Sequence, residues 1–179
     1  MTELHGNLTG IRDSIKEELL SLYDVQVDSG VFLPLELAQR LAALSARIRR
    51  EIAVYIARNG QILSVAVGQS DRVSLMDFGQ RRSGSRLSRV RCIHTHPNGD
   101  ATLSDVDLAA IVSLRLDAIC ALGVDESGQL TGATISFLAP DEEGQLTAGP
   151  ITALAVLHLN HPQLMWTIAQ NDLLDTAKE

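Results

Sequence analysis

Two histidines one residue apart, His94 and His96, stand directly before Pro97, and after a short polar turn come Ser104, Asp105, Val106 and Asp107. This run admits few local structures. In an extended chain, residues i and i+2 point to one face with Cα atoms roughly 6–7 Å apart, so the two imidazoles converge. Pro97 then stops the strand, because proline cannot donate to a ladder. Asn98, Gly99 and Asp100 turn the chain. Ser104 opens a helix, and Asp107 lies three residues into it on the same face. A strand, a turn and a helix must meet here.

Two imidazoles and one carboxylate make a three-ligand metal site with a fourth position open for water, the pattern of catalytic rather than structural zinc. Zinc in such a site lowers the pKa of its water and polarises a substrate carbonyl. A general base is still required, and Glu51, at the start of an apolar strand, is the candidate. Ser104 can donate to an oxyanion. A plainer reading stands beside this one. Ser104 with Asp107 is also a helix-capping pattern, and His-x-His on a strand can be structural or exposed. The order of the three parts favours the metal reading. Zinc fits two histidines and one carboxylate, although nickel, iron or manganese can occupy such a set.

The rest of the chain supplies a scaffold. Apolar residues at helical spacing predict a helix from Ile11 to Tyr23, with Asn7 or Thr9 as its cap, and a second from Leu35 to Arg49 behind Pro34. Glu51–Ala57 and Gln61–Val67 read as strands joined by an Asn59-Gly60 hairpin. Val73–Phe78 reads as a third strand, and Gly79–Ser88 as a polar, basic loop. Val90–Thr95 is the histidine strand, and a helix runs from Ser104 to about Leu116. Ala118–Val124 and Gln129–Leu138 are strands. Pro140–Pro150 reads as a loop, and Ile151–Leu159 and Gln163–Thr176 as terminal helices. Interleaved strands, hairpins and helices predict an α/β or α+β sandwich around a mixed sheet.

Composition removes several function classes. The net charge of -7 argues against nucleic-acid binding through bulk charge. Lys16 and Lys178 are the only lysines and neither follows a glycine, so this chain has no Walker-type phosphate loop. Two cysteines, Cys92 and Cys120, form no disulfide framework, and the N-terminus lacks a signal peptide. No apolar run reaches membrane-spanning length. These features predict a cytoplasmic protein. The last residues are helical in pattern without a stop signal, which suggests a fragment of a longer chain.

Other residues carry competing readings. Arg81, Arg82, Arg86, Arg89 and Arg91 lie within eleven positions. They read as a solvated loop, or as a holder for an acidic tail or RNA phosphate; without aromatic company, single-strand readout is not expected. Cys92 is a buried packing residue or a thiolate beside His94. Asp100 and Asp105 are substitutes for Asp107. His158 and His161 read as structural or exposed, and His5 says little. Trp166 is expected to pack against the body or a following domain.

Glu51, then His94-Thr95-His96-Pro97, then Ser104 to Asp107 resembles the JAMM/MPN-plus metalloprotease family, including its bacterial RadC-like branch. The resemblance covers roughly residues 35 to 140. It implies a curved mixed sheet flanked by helices, a JAB/MPN-like fold of the cytidine-deaminase-like type. It implies Zn2+ on His94, His96 and Asp107, Glu51 as general acid/base, Ser104 at the oxyanion, and a peptide or protein substrate cleaved at a peptide or isopeptide bond. The opening HGNLTGIRDSI and the stretches REIAVYIARNG and RCIHTHPNGD are also similar to the N-terminal extension of bacterial HflX-type GTPases. That similarity implies a non-catalytic or regulatory module, with a following GTPase domain that binds GTP and the ribosome. On these readings residues 1–34 form a helical segment, 35–140 the metal-binding domain, and 141–179 C-terminal helices leading toward a following domain.

Overall fold

A computed structural model of the chain describes residues 2–69, 89–161 and 164–168. Among the described residues, eight strands form one mixed sheet: β1 (Leu4–Gly6), β2 (Ile52–Ala57), β3 (Ile62–Val67), β4 (Val90–His96), β5 (Ala118–Val124), β6 (Leu130–Pro140), β7 (Leu146–Ala148) and β8 (Thr152–Leu154). The spatial order is β1-β3-β2-β4-β5-β6-β7, with β8 also on β6. β2 and β3 form the hairpin predicted at Asn59-Gly60. Gly60 has φ +85°, and a Cβ there would lie 1.7 Å from the Val27 carbonyl oxygen, so the turn requires glycine. β4 and β5 are parallel, and β2 is antiparallel to β4. The β4–β5 crossover contains helix α3 (Asp105–Leu114), as a parallel pair demands.

Period-two patterning divides the core between the two faces of the sheet. Ile52, Val54 and Ile56 of β2 join Ile93, Cys120 and Leu122 on one face. That face packs on helices α1 (Asp13–Leu20) and α2 (Leu35–Ile48), through Ile15, Leu19, Leu37, Leu41 and Leu44. Ala53 and Tyr55 turn the other way, with Cys92, Ile119 and Ala121, and meet Leu103 and Ile111 beside α3. The expected mixed α+β architecture is present. No helix among the described residues is long and apolar enough to cross a membrane.

Several local expectations need correction. α1 begins at Asp13 rather than Ile11, and Arg12 occupies its N-cap without a capping side chain. Asn7 instead folds onto its own loop, where its Oδ1 accepts from the Thr9 amide at 3.2 Å. The segment Pro140–Pro150 contains β7, whose register with Leu138–Pro140 closes a hairpin through Asp141. Ile151–Leu159 is not a helix. It is β8 followed by a 3-10 turn, Val156–His158, because the β6 edge offers Ala133–Ile135 for pairing, and ladder bonds outweigh a weak helical period. β1 was not foreseen; three residues are too few to show alternation, and its pairing to Leu4↔Val65 is purely tertiary. Residues 164–168 are helical within the span predicted from Gln163 to Thr176. The predicted strand Val73–Phe78, the basic loop Gly79–Ser88, and the rest of that last helix lie outside the described residues.

Candidate metal centre

The histidines stand at the carboxyl end of β4, where His96 still pairs with Gly123 of β5 and the chain turns away at Pro97. Register explains their company. Ala53 pairs with His94 across the antiparallel β2–β4 ladder, and continuing that register sets Glu51 opposite His96. Both Glu51 main-chain groups are held by the extension of β3: its N–H donates to the Gln69 carbonyl at 2.9 Å, and its C=O accepts from the Gly68 amide at 2.9 Å. Its carboxylate Oε1 lies 3.9 Å from His96 Nε2.

On the opposite face of the same strand, Thr95 locks this arrangement to α2. Its Oγ1 accepts from the Ile52 amide at 3.0 Å and donates to Ser45 Oγ at 2.8 Å. Ser45 in turn donates to the Arg50 carbonyl at 2.7 Å. Ser45 and Thr95 are fully buried, so every member of this relay is needed to avoid an unpaired polar group. The backbone on either side of Glu51 is therefore tied both to the histidine strand and to the end of α2.

Asp107 arrives from α3. Its Oδ2 accepts from the Ser104 amide at 2.8 Å and from Ser104 Oγ at 2.7 Å, while its own amide donates to Ser104 Oγ at 3.2 Å. This is a complete capping box. The other oxygen, Oδ1, faces His94 Nε2 at 3.5 Å. The capping reading of these residues is therefore correct, and it does not compete with the metal reading. The cap fixes one carboxylate oxygen and so aims the other.

His94, His96 and Asp107 each present one ligand atom, and those atoms all lie within 4.8 Å of one another. Donors around a tetrahedral zinc with bonds of about 2.0–2.1 Å stand roughly 3.3–3.4 Å apart. The His94–Asp107 separation already matches, and a small closure of His96 completes the set. His96 Nδ1 lies 2.8 Å from the Asp100 carbonyl oxygen. A carbonyl only accepts, so Nδ1 carries the proton and Nε2 presents its lone pair. His94 is 2% exposed, and among the described residues neither of its ring nitrogens has a hydrogen-bond partner. A buried polar atom left unpaired costs about 1–3 kcal/mol, and a metal ion is one partner that the ring nitrogen could take. Burial pushes the His94 pKa down to about 4; the Asp107 charge opposes the fall and His96 adds to it. The ring is neutral near pH 7, so its approach to Asp107 is not an ion pair. Neutral imidazole is also the form that binds metal.

The remaining candidates separate cleanly. Cys92 is fully buried below the histidines on the same face, and burial raises its thiol well above the ordinary value; it stands outside the ligand group and packs. Asp100 is exposed, and its carboxylate accepts from the Thr102 amide and hydroxyl, which holds its pKa down; only its carbonyl serves the site. Asp105 is exposed. His158 and His161 are exposed, and Trp166 is 63% exposed rather than packed on the body.

The arginine run does not act as one surface. Arg91 is buried, with its guanidinium donating to the carbonyls of Phe32, Ala57 and Val31 at 2.8, 3.1 and 3.2 Å and stacked over the Phe32 ring. Desolvation lowers its pKa to about 10, and it stays charged at neutral pH. The Arg89 main chain donates to Asp117, which also takes the Arg58 guanidinium. Arg81, Arg82 and Arg86 lie outside the described residues.

Two positions that shape the site carry no obvious sequence signal. A Cβ on Gly123 would lie 2.4 Å from Thr131 Oγ1 and 2.7 Å from the Gly99 carbonyl oxygen. Thr131 Oγ1 donates to that same carbonyl at 2.7 Å. Gly123 and Thr131 together seat the turn after the histidines on β5 and β6, which brings the Asp100 carbonyl to His96. A glycine inside a strand is the only hint of this close approach.

No protein-family model matches the chain, and a search of curated proteins returns no significant match.

Proposed function

We propose that the chain is a metal-dependent hydrolase of the JAMM type, acting on peptide or isopeptide bonds, with zinc held by His94, His96 and Asp107. The observation that carries this reading is a buried His94 ring, without a hydrogen-bond partner among the described residues, faced by an Asp107 oxygen aimed at it by the helix cap. Zinc, when bound, supplies a water of lowered pKa and a Lewis acid for the substrate carbonyl.

The protein's own residues do the rest. Glu51 takes the proton released as water adds to the carbonyl and returns it to the departing amine, which leaves neutral. Its place beside His96, on backbone pinned from both sides, supports that role. Ser104 spends its hydroxyl hydrogen on Asp107 in this state. Donating to an oxyanion requires that hydroxyl to rotate, while the Ser104 amide keeps the Asp107 oxygen satisfied. Ser104 thus orients a ligand before substrate arrives and can stabilise the oxyanion afterwards.

The test begins with metal content by mass spectrometry, on protein purified without added metal or a histidine tag, beside His94→Ala/His96→Ala. About one zinc per chain, lost in the double variant, is expected. Hydrolysis of peptide and isopeptide-linked substrates that disappears in Glu51→Gln, with zinc retained, completes the case. Absence of metal after zinc is supplied at neutral pH sinks the reading. Zinc without Glu51-dependent turnover would instead favour an interaction module, such as an extension of an HflX-type GTPase.

A further inference from the structure

Where α1 meets the end of α2 there is a cleft of about 320 Å3, at the low end of small-molecule sites. Its apolar residues are Ile11, Ile15 and Ile48, and its polar lining is almost entirely cationic: Arg12, Arg47 and Arg50. For a chain of net charge -7, this concentration of arginine is not a matter of composition. The isoleucines pack into the α1/α2 core layer, which places the cleft on the face of the sheet turned away from His94.

Carboxylates neutralise only part of this charge. Glu18 takes the Arg47 guanidinium in a two-pronged bond of 2.6 and 2.9 Å, and Asp13 is engaged by Lys16 at 2.9 Å. Arg50 donates to the carbonyls of Asn7 and Thr9, both at 2.8 Å. Those acceptors are neutral, so its positive charge is undiminished, and the bonds fix the guanidinium in place. Arg12 is exposed and, among the described residues, makes no hydrogen bond or ion pair with its side chain. It also stands at the N-cap of α1, where an arginine neither caps the helix nor suits its dipole. A residue that breaks a local rule beside a cleft is a mark of function. Gly10, at φ +74° with no atom within 4 Å of a Cβ position, leaves that edge of the cleft open.

We propose that this cleft binds a small phosphorylated organic molecule, its phosphate on Arg12 and Arg50 and its organic body against the half-buried Ile48. Guanidinium groups match phosphate oxygens in paired hydrogen bonds, and Ile48 offers an organic substituent an apolar contact that inorganic phosphate cannot use. The site is separate from the His94 group, so it stands whether or not the hydrolase reading does.

The test uses the full chain, labelled with 15N, titrated by NMR with adenosine monophosphate and with phenyl phosphate. Adenosine and inorganic phosphate form two further arms. Saturable shifts centred on Gly10, Arg12 and Ile48 are expected with the phosphorylated compounds, at least about fivefold tighter than with either fragment. Arg12→Glu should weaken binding about tenfold or more and leave the remaining spectrum unchanged, since among the described residues that side chain has no partner to lose. Arg12→Lys should keep part of the affinity. No saturable shift with either phosphorylated probe at millimolar concentration overturns the proposal. So does binding that Arg12→Glu and Arg50→Ala both leave intact.

Discussion

Asp107 Oδ1 lies 3.5 Å from His94 Nε2 while its partner oxygen is held by the Ser104 amide and hydroxyl. One carboxylate therefore closes a helix and faces a buried imidazole that could hold a metal ion with it. The arrangement removes a freedom that a ligand normally loses on binding: the Asp107 side chain is already fixed by two hydrogen bonds, and its remaining lone pairs point one way.

The two tasks are separable by mutation. Ser104→Ala removes the cap hydroxyl and should cost about 1 kcal/mol, with zinc affinity reduced by about 10–100-fold as a ligand-orienting bond is lost. Asp107→Ala should abolish zinc binding while costing a similar amount in metal-free stability. Urea unfolding of the metal-free proteins, beside zinc titration against a chelator, measures both. Full zinc affinity in Asp107→Ala would remove it from the ligand set.

Thr95→Val preserves shape and deletes the hydroxyl that joins Ile52 to Ser45. The buried Ile52 amide loses its acceptor while Ser45 keeps the Arg50 carbonyl, so a stability loss of about 1–3 kcal/mol is expected, read as a fall in the urea midpoint. Because the same bond secures the backbone next to Glu51, turnover should fall more than zinc content does. A variant as stable and as active as the parent would show that the relay is dispensable.

Gly123→Ala drives a methyl into Thr131 and the Gly99 carbonyl. The turn must lift from β5, and the Asp100 carbonyl moves with it from His96. Overpacking of this kind costs about 1–3 kcal/mol, and a lost imidazole partner lowers metal affinity by about 10–100-fold. Thermal unfolding and zinc competition test the pair of effects; Thr131→Val should reproduce the second with less of the first.

Acid should weaken the metal-free protein through His94. Its folded pKa of about 4 lies below the unfolded value of about 6.5. Between those values the unfolded chain binds the extra proton, so stability rises with pH. On acidification the loss begins below about pH 6.5 and grows toward pH 4. His94→Asn should flatten that portion of the stability profile, measured by urea unfolding at successive pH values on metal-stripped protein. Parallel profiles for parent and variant would contradict the buried neutral ring.

Much of this site was legible because its parts are close in sequence. His94 and His96 share a face through strand periodicity alone, Pro97 ends the strand, and Ser104 with Asp107 announces a cap. Glu51 was legible only as the start of a strand. Its position opposite His96 depends on the antiparallel register of β2 with β4, which pairing energies across the whole sheet select. The errors have a common origin. β1, β7 and β8 are three-residue strands whose ladders are supplied by partners elsewhere, so local pattern says almost nothing about them. Arg91 looked like one member of a basic run, and only packing shows that its guanidinium turns inward to three carbonyls.

Local pattern is enough to set the strand, turn and helix that carry the histidines and Asp107, the hairpin at Asn59-Gly60, and the continuous apolar run of β2 that buries both faces of the sheet. These are short-range consequences of side-chain period, proline and glycine. Tertiary structure alone decided that Glu51 stands beside His96, that Thr95 ties both strands to α2, and that Gly123 admits the turn bearing the Asp100 carbonyl. Each of those joins residues far apart in the chain, and such contacts follow from the sheet's strand order and packing, not from any local preference.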